Sequence, residues 1–141
     1  MSAKENKALY LRMEPKIWNE GDLAAADGYY APNVIVHGAL PGTPPGIEGV
    51  KQGIIMFRAV FPDLHMEMDD VIAEGDKVVC RYTLRGTQKG ELMGIPASGK
   101  KVAVEGIGIV RFQDGKVAEF WGVSDMLGLM QQVGAIPAPA G

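Results

Sequence analysis

An α+β fold, with helices packed on one face of a curved sheet, is what this sequence predicts, and three observations carry it. Apolar residues keep helical spacing through much of the first sixty positions, two hairpin punctuations divide residues 64–124 into long β-rich runs, and one short apolar helix follows. At 141 residues the chain has the size of a single domain, and 47% hydrophobic content gives it material for a core. A domain of this size removes roughly 68% of its unfolded-chain surface from water, enough to fold without disulfides or structural metal. The domain is expected to span residues 1–134, with 135–141 a frayed Pro-Ala tail.

Taken in order, residues 3–18 place Leu9, Met13 and Ile17 on one helical face, with Tyr10 and Trp18 beside them and Pro15 as an interruption. Gly21 suits a left-handed helix end, and Asp22 suits the cap of a second helix over 23–30. The β-branched run 34–37 reads as a short strand ending in His37. The Pro/Gly-dense stretch 38–46 then forms a rim or lid over whatever His37 faces. Helical spacing returns through Val50, Ile54, Phe57 and Phe61, and Pro62 stops it. Strands are expected at 64–73 and 78–88, joined across Glu74-Gly75-Asp76-Lys77, and at 101–112 and 117–124, joined across Gln113-Asp114-Gly115-Lys116. A second loop, 90–99, lies between the hairpins and carries Met93 and Pro96.

Composition excludes several functions. The net charge is −3 and the basic residues are scattered, which argues against a nucleic-acid partner. No apolar run reaches membrane-spanning length, so a cytoplasmic protein without a membrane partner is expected. Cys80 is the only cysteine, and its neighbours Val78 and Val79 mark it as a small buried hydrophobe. His37 and His65, the only histidines, lie too far apart to suggest a metal site, and no phosphate-cradling glycine loop or serine nucleophile motif is present. Acid–base chemistry without metal or organic cofactor remains.

Its candidates gather at the end of the last strand. Asp125 shares strand parity with Glu119 and Trp121, so all three should look the same way unless a bulge intervenes. If that way is a hollow, burial beside an indole makes Asp125 a general base; otherwise Asp125 is the N-cap of the helix that starts at Met126. His37 is either a donor at a pocket mouth or a structural histidine bonded to the neighbouring loop. Arg81 and Arg85 share a face with Thr83 and either bind a ligand oxygen or form a solvated surface.

The ordered set Trp18-Asn19-Glu20-Gly21-Asp22, Ala31-Pro32-Asn33-Val34, His37-Gly38, Phe61-Pro62-Asp63, Gly94-Ile95-Pro96, Gly99-Lys100, Arg111-Phe112, Asp114-Gly115-Lys116, Trp121, Asp125 and Gly128 to Gly134 resembles the SnoaL-like polyketide cyclases. The resemblance implies the nuclear-transport-factor-2-like fold: a cone-shaped barrel of a curved mixed, mostly antiparallel sheet on N-terminal helices. It also implies a homodimer, no cofactor and no metal, and an apolar or polyketide-like small-molecule substrate. In such cyclases an Asp matching Asp125 removes a proton next to a carbonyl, and a ring closes by intramolecular aldol condensation. Asp125 and His37 are therefore the expected catalytic residues, with Trp121, Arg81, Trp18, Phe57 and Met93 as substrate contacts. The cyclases pair their Asp with a histidine on a neighbouring strand, whereas residues 104–111 contain none and Gly108 stands near its expected place, so either His37 or a water takes over that role or the same hollow serves different chemistry. Aldol cyclisation or a related isomerisation is thus the expected reaction, and a non-catalytic protein holding an apolar ligand in the same cone is the alternative. An epoxide hydrolase would need carboxylates bracketing an arginine, and none stands directly beside Arg81 on its strand.

Overall fold

Ser2 starts the chain's first helix with a capping box. Its hydroxyl accepts from the Glu5 N–H at 3.1 Å, and the Glu5 carboxylate accepts from the Ser2 N–H at 3.0 Å. The structure, a computed structural model, describes residues 1–137. Helix α1 (Ala3–Glu14) buries Asn6, Tyr10, Met13 and Glu14. Pro15 does not break the chain's course: it opens a π-helical turn, Pro15–Asn19, closed by the Glu20 N–H donating to the Pro15 carbonyl at 3.0 Å. Pro15 has no N–H to offer the Leu11 carbonyl one turn back, and the helix passes the missing bond by widening into the π-helical turn. Gly21, at φ 68°, then reverses the chain, and the Asp22 side chain accepts from the Ala25 N–H at 3.0 Å to cap α2 (Leu23–Tyr29).

Strand β1 (Tyr30–His37) begins at Tyr30 and not at the expected residue 34, and it runs through Pro32. It can do so because it lies at the edge of the sheet, where a missing N–H leaves no ladder bond unmade. Helix α3 (Ile47–Val60), strands β2 (His65–Glu74), β3 (Lys77–Thr87), β4 (Lys101–Gln113) and β5 (Lys116–Ser124), and helix α4 (Met126–Gln132) complete the chain. The five strands form one mixed sheet in the order β1-β5-β4-β3-β2; only the β1–β5 pair is parallel. The α+β class and mixed sheet are as expected, and the expected barrel is an open sheet whose edges are β1 and β2.

Even-numbered residues of β3 and β4, among them Val78, Cys80, Val102, Val104, Val110 and Phe112, face the helices and are buried. One core cluster joins α1 to β1, β3 and β4 through Tyr10, Met13, Ile17 and Val34; a second gathers Phe61, Leu92, Val104, Leu129 and Val133. Trp18 packs against both. The loop after β3 is held from within. Gln88, fully buried, donates to the carbonyls of Gly90, Ile95 and Pro96 and accepts from the N–H and hydroxyl of Ser98. After α4 the Ala135 N–H still reaches the Met130 carbonyl at 2.9 Å, and residues 138–141 of the expected tail lie outside the described residues. Among the described residues no helix is long and apolar enough to cross a membrane.

Candidate active site

Helices and inner sheet face enclose a cavity of about 1430 Å³ with mostly apolar walls, roomier than the usual small-molecule pocket. Trp18 and Phe57 meet edge-on in its wall, ring centroids 6.1 Å apart, and Met93 reaches it from the 88–100 loop. The Pro/Gly stretch contributes Leu40, Thr43 and Pro44 to the same wall.

The cavity also contains a carboxyl group. Glu14 follows Tyr10 by four residues and precedes Ile17 by three, so helical spacing turns it inward. It is 4% exposed, lines the cavity, and makes no side-chain hydrogen bond among the described residues. Burial alone raises its pKa to about 8. Three tyrosines line the same space: Tyr10 from α1, Tyr30 from β1 and Tyr82 from β3. Burial, then the nearby Glu14, pushes the phenols of Tyr10, Tyr30 and Tyr82 upward, so they remain O–H donors. Tyr82 lies across β4 at Gly106, where any Cβ would overlap its hydroxyl.

The polar residues singled out from sequence fall elsewhere. The β4–β5 register pairs Val110 with Phe120 and Gly108 with Gly122 on the inner face, and Ile109 with Trp121 and Arg111 with Glu119 on the outer face. Glu119 and Trp121 do share a face, and it is the outer one. His37 contributes to the cavity mouth, yet its ring stacks on Trp121 at 5.1 Å, and its Nε2–H donates to Glu119 Oε2 at 2.6 Å. The other Glu119 oxygen accepts from Arg111 Nε at 3.1 Å. The His37 bond first, then Arg111, holds the Glu119 carboxyl below its ordinary range. Arg81 is on the outer face of β3, 3.9 Å from Asp69.

Asp125 is exposed at the junction of β5 and α4, where its Oδ1 accepts from the Gly128 N–H at 2.8 Å. Its neighbours Ser124 and Met126 line the cavity, which puts Asp125 at the rim. The position expected for a histidine partner is filled from across the strand. A Cβ on Gly108 would lie 3.1 Å from the Phe120 ring, and one on Gly122 2.6 Å from it, so Phe120 covers both glycines. Cys80 is buried in the core, and burial pushes its thiol to about 11, far from a nucleophile's range. Among the described residues no group of three or more His, Cys, Asp or Glu side chains could hold a metal ion.

The cavity features missed in the sequence are Glu14, its tyrosines and Phe120. Their one signal is the inward helical spacing of Glu14, set against an ordinary preference of glutamate for solvent.

The sequence model of the SnoaL-like polyketide cyclases matches residues 8–133, nearly the whole described chain. The chain belongs to this family. The SnoaL-like chain is 31% identical over 108 residues to the aklanonic acid methyl ester cyclase DnrD of Streptomyces peucetius, which is 74% of each protein. The cyclase DauD of Streptomyces sp. (strain C5) is equally similar over 108 residues, 74% of this chain and 67% of that protein. Among solved structures, TsrD from Streptomyces laurentii superposes with a TM-score of 0.87 at 34% identity, covering 94% of this chain and 98% of that one. A SnoaL-like polyketide cyclase from Agrobacterium tumefaciens shares the fold at 22% identity, with a TM-score of 0.78 over 92% and 98% of the two chains. The family resemblance read from the ordered motifs is thus met.

Proposed function

We propose that this SnoaL-like chain is a cofactor-free acid–base enzyme that closes a ring in a polyketide-like carbonyl compound by intramolecular aldol condensation. The observation that carries this reading is the large, mostly apolar cavity, in a chain whose similar relatives are named methyl ester cyclases. Asp125, at the rim, acts as the base. Its Oδ1 caps α4, and its Oδ2 is free to take a proton from the carbon between two substrate carbonyls. The resulting enolate carbon attacks a ketone carbon held against it; a C–C bond forms, and the new alkoxide takes the proton back. Walls that hold the two carbons together supply orientation, which can be worth as much as about 7–11 kcal/mol. Trp18, Phe57 and Met93 position the substrate, His37 stands at the mouth with its Nε2–H held by Glu119, and Trp121 braces the His37 ring from outside. Arg81, paired with Asp69 on the outer face, has no contact with substrate in this reading.

The experiment is Asp125→Asn, assayed for turnover of a β-keto ester able to cyclise. A loss of about 10²-fold or more is expected, the usual worth of one positioned acid–base group; unchanged turnover removes Asp125 from the mechanism. A second reading, a binding protein that holds an apolar ligand unreacted, is favoured by Phe120 standing where the cyclases' histidine would reach. Native mass spectrometry that finds an unmodified ligand retained by the purified protein supports that reading. The outer face exposes Ile35, Ile107 and Val123, which supports a homodimer formed through it.

A further inference from the structure

We propose that Glu14 and the tyrosines around it form a hydrogen-bond-donor site in the buried wall of the cavity, one that takes an uncharged carbonyl, enol or phenol oxygen of the ligand and rejects a carboxylate. The inference deepens the proposed function by naming the substrate class, and it rests on the cavity being the substrate site. A carboxyl group withdrawn from water is ordinarily paired or coordinated. Glu14 is 4% exposed, points to no partner among the described residues, and lines open space. Among the described residues that line the cavity, none is a lysine or arginine. Without a cation, the group is cheapest as the neutral acid, and a neutral acid carries an O–H.

The surroundings repeat that chemistry. Tyr10 and Tyr30, each 5% exposed, and Tyr82 line the same cavity, and Cys80 lies beside them in the core. These are the titratable groups that α1, β1 and β3 turn toward Glu14, and Glu14 acts electrostatically on all four. Burial keeps the phenols and the thiol protonated beyond the range in which Glu14 changes charge, so Glu14 alone of this cluster switches near neutral pH. A ligand oxygen that can accept is matched here. A ligand carboxylate would bring an unpaired charge into an apolar wall and lose its water.

Three unreactive probes with one skeleton test this: 2-acetonaphthone, 2-ethylnaphthalene and 2-naphthoate, titrated calorimetrically into the wild-type protein, Glu14→Gln and Glu14→Leu at pH 6 and pH 9.5. Wild-type protein is expected to bind the ketone about tenfold more tightly than the hydrocarbon at pH 6, the worth of a hydrogen bond made in a dry site. The preference shrinks at pH 9.5, and the carboxylate binds weakest. Glu14→Leu keeps only the smaller preference that the tyrosine O–H groups give, the same at both pH values. Glu14→Gln keeps it at both, because an amide N–H donates regardless of pH. The inference is overturned if the wild-type protein shows no preference, including no binding, or if Glu14→Leu retains it in full. It is equally overturned if the pH dependence survives in Glu14→Gln, since the response then belongs to another group. None of these readouts needs turnover, so a failure of the aldol reading and a failure of this site are separately visible.

Discussion

Burial holds the Glu14 carboxyl at about 8, so the folded chain keeps a proton that the unfolded chain releases near the ordinary value of 4.5. The folded state binds more protons throughout that window, and its stability therefore falls as pH rises from 4.5 to 8 and levels off above. The stability lost across the window is on the order of 3–5 kcal/mol. Glu14→Gln removes the dependence: thermal melts should coincide near pH 4.5, and the variant's melting temperature should rise progressively above the wild type's by pH 8. A second prediction concerns Phe120. Gly108→His must displace its ring, 3.1 Å from the new Cβ, and should cost about 1–3 kcal/mol in urea unfolding. Adding Phe120→Ala makes room, and the pair should be more stable than the sum of the two single changes. Neither residue was legible beforehand. A glutamate next to Pro15 in a charged helix reads as solvent-facing, and Phe120 and Trp121 are adjacent aromatics of which the alternation alone cannot say which turns inward.

Among the elements, α4 is only seven residues long and depends on its ends and its packing. Asp125 caps it, Gln132 exchanges two hydrogen bonds with the Ala103 backbone at 2.7 and 2.9 Å, and Leu129 is buried. Asp125→Ala should therefore cost about 1 kcal/mol of stability, whereas Asp125→Asn keeps a capping oxygen and should cost a few tenths. Comparing the two by denaturant titration separates cap from catalyst, and it makes the Asn variant the clean probe of chemistry. The hairpins were the most legible elements. Asp114 and Gly115 have φ 51° and 76°, the doubly left-handed turn that an Asp-Gly pair is suited to make between twisted strands. The π-helical turn at Pro15 and the early start of β1 through Pro32 were not, since proline there is tolerated by tertiary position and not by local preference. The inner and outer faces of β5 were hidden for a related reason. An irregularity in the β4–β5 pairing lets Val117 and Phe120 both face inward, although their parities differ.

For the whole molecule, element order alone made the α+β class legible, because helices followed by hairpin-linked strands have few ways to bury both apolar faces. The size of the cavity was not legible, since it is set by how far the helices stand off the sheet. The outer face offers the prediction at this scale. Val123 is 78% exposed beside Ile107, and if the proposed homodimer forms through this face, Val123→Glu should convert it to monomers in sedimentation velocity while leaving the circular dichroism unchanged.

The open sheet has one further consequence. β2 is a ten-residue edge strand: the Asn19 side chain pairs with the Met66 N–H at 2.7 Å and the Met66 carbonyl at 3.2 Å, and among the described residues no strand lies along the rest of its outer edge, the geometry on which a foreign strand can add. Glu67, Asp69, Asp70 and Glu74 string negative charge along it, and the pairing irregularity between Met68 and Asp70 disturbs its regular spacing. These features act as gatekeepers against fibrillar self-association. At acid pH, where the carboxylates lose their charge, this protein should form thioflavin-positive aggregates, and the replacement Asp70→Val should move their onset toward neutrality.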